Sequence, residues 1–380
     1  MKPVDFKKIG SKRVLLRVDI NSDVQNGKVI DSPRIRQAAE TIKLFKKAKA
    51  KVTVIAHQGN PGKRDFVSLK KHAELISKIT KIEFVRDITG SRAEVKIKNL
   101  KPGRALLLEN LRFNEDEIKN PSRKNSLAKL AEFFDIYVND AFSVCHRPHA
   151  SMTLLPKILP SFAGPNLEKE VASIKKIRLK NSLYILGGGK PESNVKLLSK
   201  KKIIAAGFFG QMILIARGFK LGYQEKFLRK NALISKSWNS FMRFLRKNAK
   251  HVMVPVDFAI NVSGRRHEVL LNDFPQKFRI DDIGTRSIEL FKKEISRAPS
   301  IYMKGPVGYA SNRTFAKGTI EILKAVSNSR AFSVVGGGQL SEAIRKYRIS
   351  KDGFGHISLS GGALLNFVAG EKLPGLEALG

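Results

Sequence analysis

Asp135-Ile136-Tyr137-Val138-Asn139-Asp140-Ala141-Phe142-Ser143-Val144-Cys145-His146-Arg147-Pro148-His149-Ala150-Ser151 runs from an apolar segment into a loop carrying two histidines and an arginine within four residues. The apolar part reads as a buried strand. In an open α/β sheet ligands sit at the C-terminal ends of the strands. A cationic cluster there suits an anion such as phosphate or carboxylate. Taken alone, the segment is equally a polar loop with solvated bases. The strands before it decide between the two, because they end in the same way.

Apolar runs alternate with helical periodicity along the whole chain. Strands are expected at 13–20, 51–57, 82–87, 105–109 and 135–138, with helices at 33–48, 68–79 and 126–134 between them. Three prolines and a glycine at 154–165 interrupt the pattern, and a charged helix at 167–177 follows. A second series then places strands at 182–186, 202–206, 251–256, 300–303, 331–335 and 356–359, and helices at 208–218, 283–298 and 313–327. This is an α/β protein of two doubly wound, Rossmann-like parallel-sheet domains joined by a hinge and connecting helix. The expected division is 1–155 and 156–362.

The chain has 380 residues, enough for two cores, and a formal net charge of +38. Such a field draws in nucleic acid, anionic lipid or acidic small molecules. The basic residues are spread over pairs such as Lys46-Lys47, Lys175-Lys176 and Arg246-Lys247, without interleaved aromatic residues. That pattern suits a solvated basic surface better than a stacking platform for single strands. The single cysteine, Cys145, excludes an internal disulfide framework and suits a reducing cytoplasm; it reads as a buried filler. No targeting segment is expected at the charged start, and the apolar run 203–216 is too short to span a bilayer.

The two halves end their strands differently. In the first half the loops offer Asp19 and Asn21, Arg34 after a turn, His57 and Asn60, Arg112, and finally His146 and Arg147. Converging on one face, they would build a basic pocket for a small, multiply charged anion. In the second half the loops are glycine-rich: Gly187-Gly188-Gly189-Lys190, Gly207 with Gly210, Lys304-Gly305-Pro306-Val307-Gly308, Gly336-Gly337-Gly338-Gln339 and Ser360-Gly361-Gly362. Glycine lets backbone N–H groups approach phosphate oxygens. Any one such loop could be a tight turn; several on one sheet edge favour a nucleotide. Neither the P-loop nor the dinucleotide fingerprint is present. Together the halves suggest phosphoryl transfer, which needs positioning and cationic charge more than covalent chemistry. No general base stands out, and a carboxylate acceptor would need none.

Over nearly its whole length the chain resembles the phosphoglycerate kinase family, its archaeal branch in particular. The resemblance is carried by Arg17-Val18-Asp19-Ile20-Asn21, Arg34-Ile35-Arg36, Glu109-Asn110-Leu111-Arg112-Phe113, Asn139-Asp140-Ala141-Phe142, His146 to Ser151, Gly187-Gly188-Gly189-Lys190, Gly305-Pro306-Val307-Gly308 and Gly336-Gly337-Gly338. It implies reversible phosphoryl transfer between ATP and 3-phosphoglycerate, with Mg²⁺ on the nucleotide, in a cytoplasmic monomer that closes on its ligands. By position it implies that Asp19, Asn21, Arg34, His57, Arg112 and Arg147 hold 3-phosphoglycerate, with Asn60 and His146 in the same pocket. Arg34 would also neutralise the transferring group. Lys190 would contact nucleotide phosphates beside Gly188, Gly189 and Gly207. The loops with Lys304, Gly305, Pro306 and Ser311, and with Gly336, Gly337, Gly338 and Gln339, would flank the nucleotide. A C-terminal segment at about 363–380 would pack on the first domain.

The chain departs from the family pattern at five positions. Asn60 stands in place of an arginine, Asn194 of a second lysine after the glycine loop, and Lys304 of the asparagine before Gly-Pro. Ser311 replaces an acidic residue and Gln339 an aspartate. Lys304 is either a substitute cation or a surface base. These departures and the charge leave a second reading: a catalytically weakened relative that binds anions or nucleic acid.

Overall fold

Runs of valine, isoleucine and leucine buried on both faces form a parallel sheet in the first of two units, as such sheets require. In the computed structural model, residues 1–119, 124–177, 179, 181–231 and 237–380 are described. Residues 1–172 with 365–380 make one unit, and 173–364 the other. The strands of the first are β1 (Arg13–Val18), β2 (Lys51–Ile55), β3 (Glu83–Val85), β4 (Ala105–Leu108), β5 (Ile136–Asp140) and β6 (Ser161–Ala163). Their order is β3-β4-β2-β1-β5-β6, parallel throughout, with Val14 opposite Val52 on one side and Ile136 on the other. The strands that carry β4, β2, β1 and β5 loops are therefore neighbours, and their loops leave from one edge.

The helix Pro33–Lys47 starts where the sequence expects, with proline in its first turn and the Ser32 hydroxyl accepting from Ile35 N at 3.5 Å. Its buried positions Ile35, Ala38, Ala39, Ile42 and Phe45 recur every three or four residues and meet the sheet. Each large side chain so buried contributes roughly 1.5–3 kcal/mol. Lys46 and Lys47, Lys175 and Lys176, and Arg246 and Lys247 occupy the last turns of their helices, where positive charge complements the helix dipole. Part of the basic excess thus has a structural place.

The first unit extends further than the expected end at 155. Ser161–Ala163 pairs with β5. The buried Asp140 carboxylate caps the helix Pro165–Lys176, accepting from Asn166 N at 2.7 Å and Leu167 N at 3.2 Å. Strand and cap tie 156–172 to the first sheet. At the other end, Gly375 N donates to Cys145 O at 2.9 Å, and a Cβ on Gly375 would lie 2.9 Å from Cys145 Cα. Cys145 is fully buried, and burial pushes its thiol up to about 12, so it is a filler and no nucleophile.

In the second unit β7 (Leu183–Leu186), β8 (Lys202–Ala205), β12 (Ser300–Lys304), β13 (Phe332–Gly336) and β14 (His356–Ser358) form a parallel sheet in the order β8-β7-β12-β13-β14. The strand expected at 251–256 is reduced to a single bridge between Ile204 and Met253, since Pro255 offers no N–H to a ladder. An antiparallel sheet absent from the sequence reading follows it: β9 (Asp257–Val262), β10 (Arg265–Leu270) and β11 (Arg279–Ile283), in the order β10-β9-β11. Ser263 and Gly264, both at positive φ (47° and 83°), make its two-residue hairpin turn. Among the described residues no helix is long and apolar enough to cross a membrane.

Candidate functional site

The edge of the first sheet is organised by an arginine inside a strand. Arg17 lies in β1 among buried apolar residues and is 0% exposed. A buried cation costs several kcal/mol unless it is hydrogen-bonded. Its Nη1 donates to Val18 O at 2.6 Å and its Nε to Ser151 Oγ at 3.2 Å, while Nη2 lies 3.0 Å from His57 Nδ1. Guanidinium only donates, so Nδ1 is the acceptor and the proton of His57 sits on Nε2. Burial, then the charges of Arg17, Arg112, His149 and Arg34, hold the His57 pKa well below its ordinary value. His57 is a neutral donor. Behind Arg17, Ser151 donates from Oγ and N to the buried Glu117 carboxylate at 2.7 and 2.9 Å, and His149 Nδ1 lies 3.6 Å from it.

The remaining cations come from neighbouring loops. Arg34, at the start of its helix, is half-buried; Nε lies 3.3 Å from Asp19 Oδ2 and Nη1 donates to Asn21 O at 2.9 Å. Asp19 also accepts from Ser143 Oγ, which joins the loops after β1 and β5. Asn21 Oδ1 accepts from Gly59 N at 2.8 Å. Gly59 has φ +67°, and a Cβ there would lie 2.3 Å from Asp65 O, so only glycine fits. Arg112 donates to Gly59 O and, at 2.9 Å, to Asn60 Oδ1. Burial, then Arg147 and Arg17, lower its pKa to about 10, which leaves it charged at neutral pH and marks Arg147 as close by. Arg147 is exposed and His146 half-buried. The eight expected residues thus lie beyond this one edge, Arg34 in the first turn of its helix and the other seven in the connecting loops, and Asn60 serves as an acceptor for Arg112.

Arg17, Glu117, Ser151 and His149 are absent from the expected site. The signal for Arg17 was available, since a charge within Val14-Leu15-Leu16-Arg17-Val18 has no solvated face to occupy. Gln58 and His72 also hold the edge together: Gln58 pairs with Ser22 through both backbone groups (2.8 and 2.9 Å) and with His72 Nε2 at 3.0 Å. Burial lowers the His72 pKa to about 4.

In the second unit the glycine loops interlock through backbone. Gly187 N donates to Lys304 O at 2.7 Å, Gly188 N to Pro306 O at 2.8 Å and Gly207 N to Val307 O at 3.0 Å. Beside them is a cavity of about 330 Å³ lined by Gly188, Gly189, Gly207, Pro306, Ser311 and Gln339 of the expected set. Its unexpected lining includes Phe208, Phe227, Ile280 and Tyr309, whose apolar surfaces suit a base, with Arg279 5.6 Å above the Tyr309 ring. Lys190, Lys304, Gly305, Gly336, Gly337 and Gly338 lie outside that lining. Gly336 has a packing reason of its own: a Cβ there would stand 2.3 Å from Leu364 Cδ2.

The phosphoglycerate kinase family model matches residues 4–371. The phosphoglycerate kinase of Pyrococcus furiosus is 39% identical, with 97% of this chain and 95% of that protein covered. That of Methanopyrus kandleri is 36% identical with the same coverage. The crystal structure of phosphoglycerate kinase from Pyrococcus horikoshii OT3 superposes with a TM-score of 0.91 at 33% identity, covering 100% of this chain and 98% of that one. The phosphoglycerate kinase structure from Coxiella burnetii reaches 0.77 at 28% identity, covering 98% and 96%.

Proposed function

The chain belongs to the phosphoglycerate kinase family, and from that premise we propose how its own residues carry the reaction. The enzyme is a phosphotransferase that moves a phosphoryl group reversibly between ATP and the carboxylate of 3-phosphoglycerate. The observation that carries the site assignment is the cluster of Arg17, Arg34 and Arg112 around neutral His57, with Arg147 beside Arg112. Asp19, Asn21, His57, Asn60, Arg112, His146 and Arg147 hold 3-phosphoglycerate. His57 donates from Nε2 and the arginines receive the phosphate and carboxylate charge. Arg17 is a positioning residue that orients the His57 ring.

The carboxylate is the nucleophile. It is ionised at neutral pH, so no base takes a proton. Arg34, already anchored through Asp19 and Asn21 O, neutralises the phosphoryl group in flight without reorganising, the largest electrostatic contribution available to such a site. On the nucleotide side the base occupies the cavity, while Lys190 and the amides of the loops at Gly188, Gly207, Gly305 and Gly337 meet the phosphates. The resident donors suit a Mg²⁺ coordinated mainly by phosphate and water. Gln339 Oε1, 3.9 Å from where a Cβ of Gly188 would stand, offers a hard neutral oxygen. Among the described residues no group of His, Cys, Asp and Glu could hold the ion unaided. When bound, the metal neutralises charge on the transferring phosphates. The reading includes closure on both ligands, a cytoplasmic location and a monomer.

An ADP-forming coupled assay tests it: turnover that requires both ATP and 3-phosphoglycerate is expected. Arg34→Ala should lower kcat on the order of 10³-fold with the unfolding midpoint unchanged. A near-normal rate would remove Arg34 from the transfer step. No turnover, alongside salt-sensitive RNA binding, would restore the alternative of an anion-binding relative.

A further inference from the structure

Two of the chain's departures from the family pattern, far apart in sequence, touch. Lys304, the last residue of β12, donates from Nζ to Asn194 Oδ1 at 2.7 Å and to Ser193 Oγ at 2.8 Å. Asn194 is fully buried in the turn Pro191–Leu197, and its Nδ2 donates to Gly187 O at 3.2 Å. Gly187 N in turn donates to Lys304 O. The ring Lys304–Asn194–Gly187 is closed, and both side-chain acceptors of the ammonium are neutral.

We propose that the cation absent from position 194 is supplied from position 304. In this view the Lys304 ammonium, presented by Asn194 and Ser193, contacts the nucleotide phosphates during transfer. The assignment rests on the phosphotransferase reading above and adds a residue to it. Lys304 stands in register between Leu186, which precedes the first glycine loop, and Gly336, which opens another, and its ammonium reaches the turn that follows the first of these loops. A half-buried ammonium whose fixed partners are neutral is poorly compensated until an anion arrives. The charged groups that face it are Glu192 and Lys190; burial outweighs the carboxylate of Glu192 and, with Lys190 acting the same way as burial, the pKa falls to about 8. An arriving phosphate would raise that value, so binding near pH 8 takes up a proton. A lysine serving only to latch the loop would predict none of this.

The test is an exchange. Lys304→Asn should lower kcat about 100-fold and abolish proton uptake on MgATP binding, measured at pH 8 by calorimetry in two buffers of different ionisation enthalpy. The double variant Asn194→Lys/Lys304→Asn returns the ammonium to the same ring from the other side. It should recover about tenfold or more of the lost rate. If Lys304→Asn turns over within about threefold of the parent enzyme, or if the folded double variant does no better than the single one, the proposal is overturned. Should Lys304→Asn fail to fold, proton uptake by the unaltered protein decides: its absence at pH 8 rejects the assignment. Lack of turnover in the unaltered protein would sink the parent reading, while MgATP affinity and proton uptake in the same variants would still test Lys304.

Discussion

The two sheet edges are built of different materials. The first uses side-chain cations, and needs a second layer to hold them: Arg17 on His57, Ser151 on Glu117, Gln58 on Ser22, all buried. The second uses backbone, with Gly187, Gly188 and Gly207 held by carbonyls of the 304–307 loop, and Lys304 is fixed there by neutral oxygens. Guanidinium groups on flexible stems must be immobilised, at an entropy cost that the buried network offsets. Amides in a turn are already immobile. The first edge should therefore fail by losing its supports, and the second by gaining atoms.

The largest stability effect expected follows from that contrast. Arg17→Leu removes the guanidinium that Ser151 links to the buried Glu117 and leaves His57 without the donor that fixes its tautomer. Loss of roughly 3–5 kcal/mol is expected, read as a fall in the urea midpoint of the first unit. An unchanged midpoint would show that the network behind Arg17 contributes no support. A smaller effect, about 2 kcal/mol, should appear on acidification to pH 5. The folded-state pKa of His72 is about 4, below the ordinary 6.5, because of burial. The unfolded chain therefore takes the proton first. The stabilisation is complete above about pH 6.5 and is lost as pH falls toward 4. His57, shifted the same way, adds to the slope. His72→Gln should flatten the pH dependence between 7 and 5, measured by urea unfolding at both values; an unaltered slope would exclude His72 as its source.

The same contrast explains what could be read from residues alone. Apolar strand cores announced both parallel sheets, because burial on both faces leaves a continuous run. The run at 251–256 misled, since hydrophobicity is visible and the missing N–H of Pro255 weighs only in a ladder. The hairpin at Ser263-Gly264 escapes a reading by residue type, because the strands on either side are too mixed in character, as in Arg265-Arg266-His267-Glu268, to read as a sheet. At the first edge the cations Arg34, Arg112 and Arg147, half-buried, buried and exposed in turn, stand out by residue type. Ser151 and Glu117 do not, because their roles come from contacts across 134 and 34 residues of sequence. The end of the first unit is hidden for the same reason: Asp140 as a helix cap is a tertiary fact.

Glycines carry the least information by type, and there the contrast can be sharpened most finely. Gly188 has φ +84° and lines the cavity, with its would-be Cβ 3.4 Å from Gly305 Cα. Gly336 is buried, and its would-be Cβ meets Leu364 instead. Gly188→Ala should cost only about 1–2 kcal/mol of backbone strain, because nothing rigid is struck. Its added methyl stands at the cavity wall, so KM for ATP should rise about tenfold for each 1.4 kcal/mol of binding lost, with KM for 3-phosphoglycerate unchanged. Gly336→Ala should do the reverse, lowering the unfolding midpoint while leaving KM for ATP within about twofold. Equal KM effects from the two would mean that the glycines act as one flexible surface, and the distinction between a phosphate-facing glycine and a packing glycine would have to be given up.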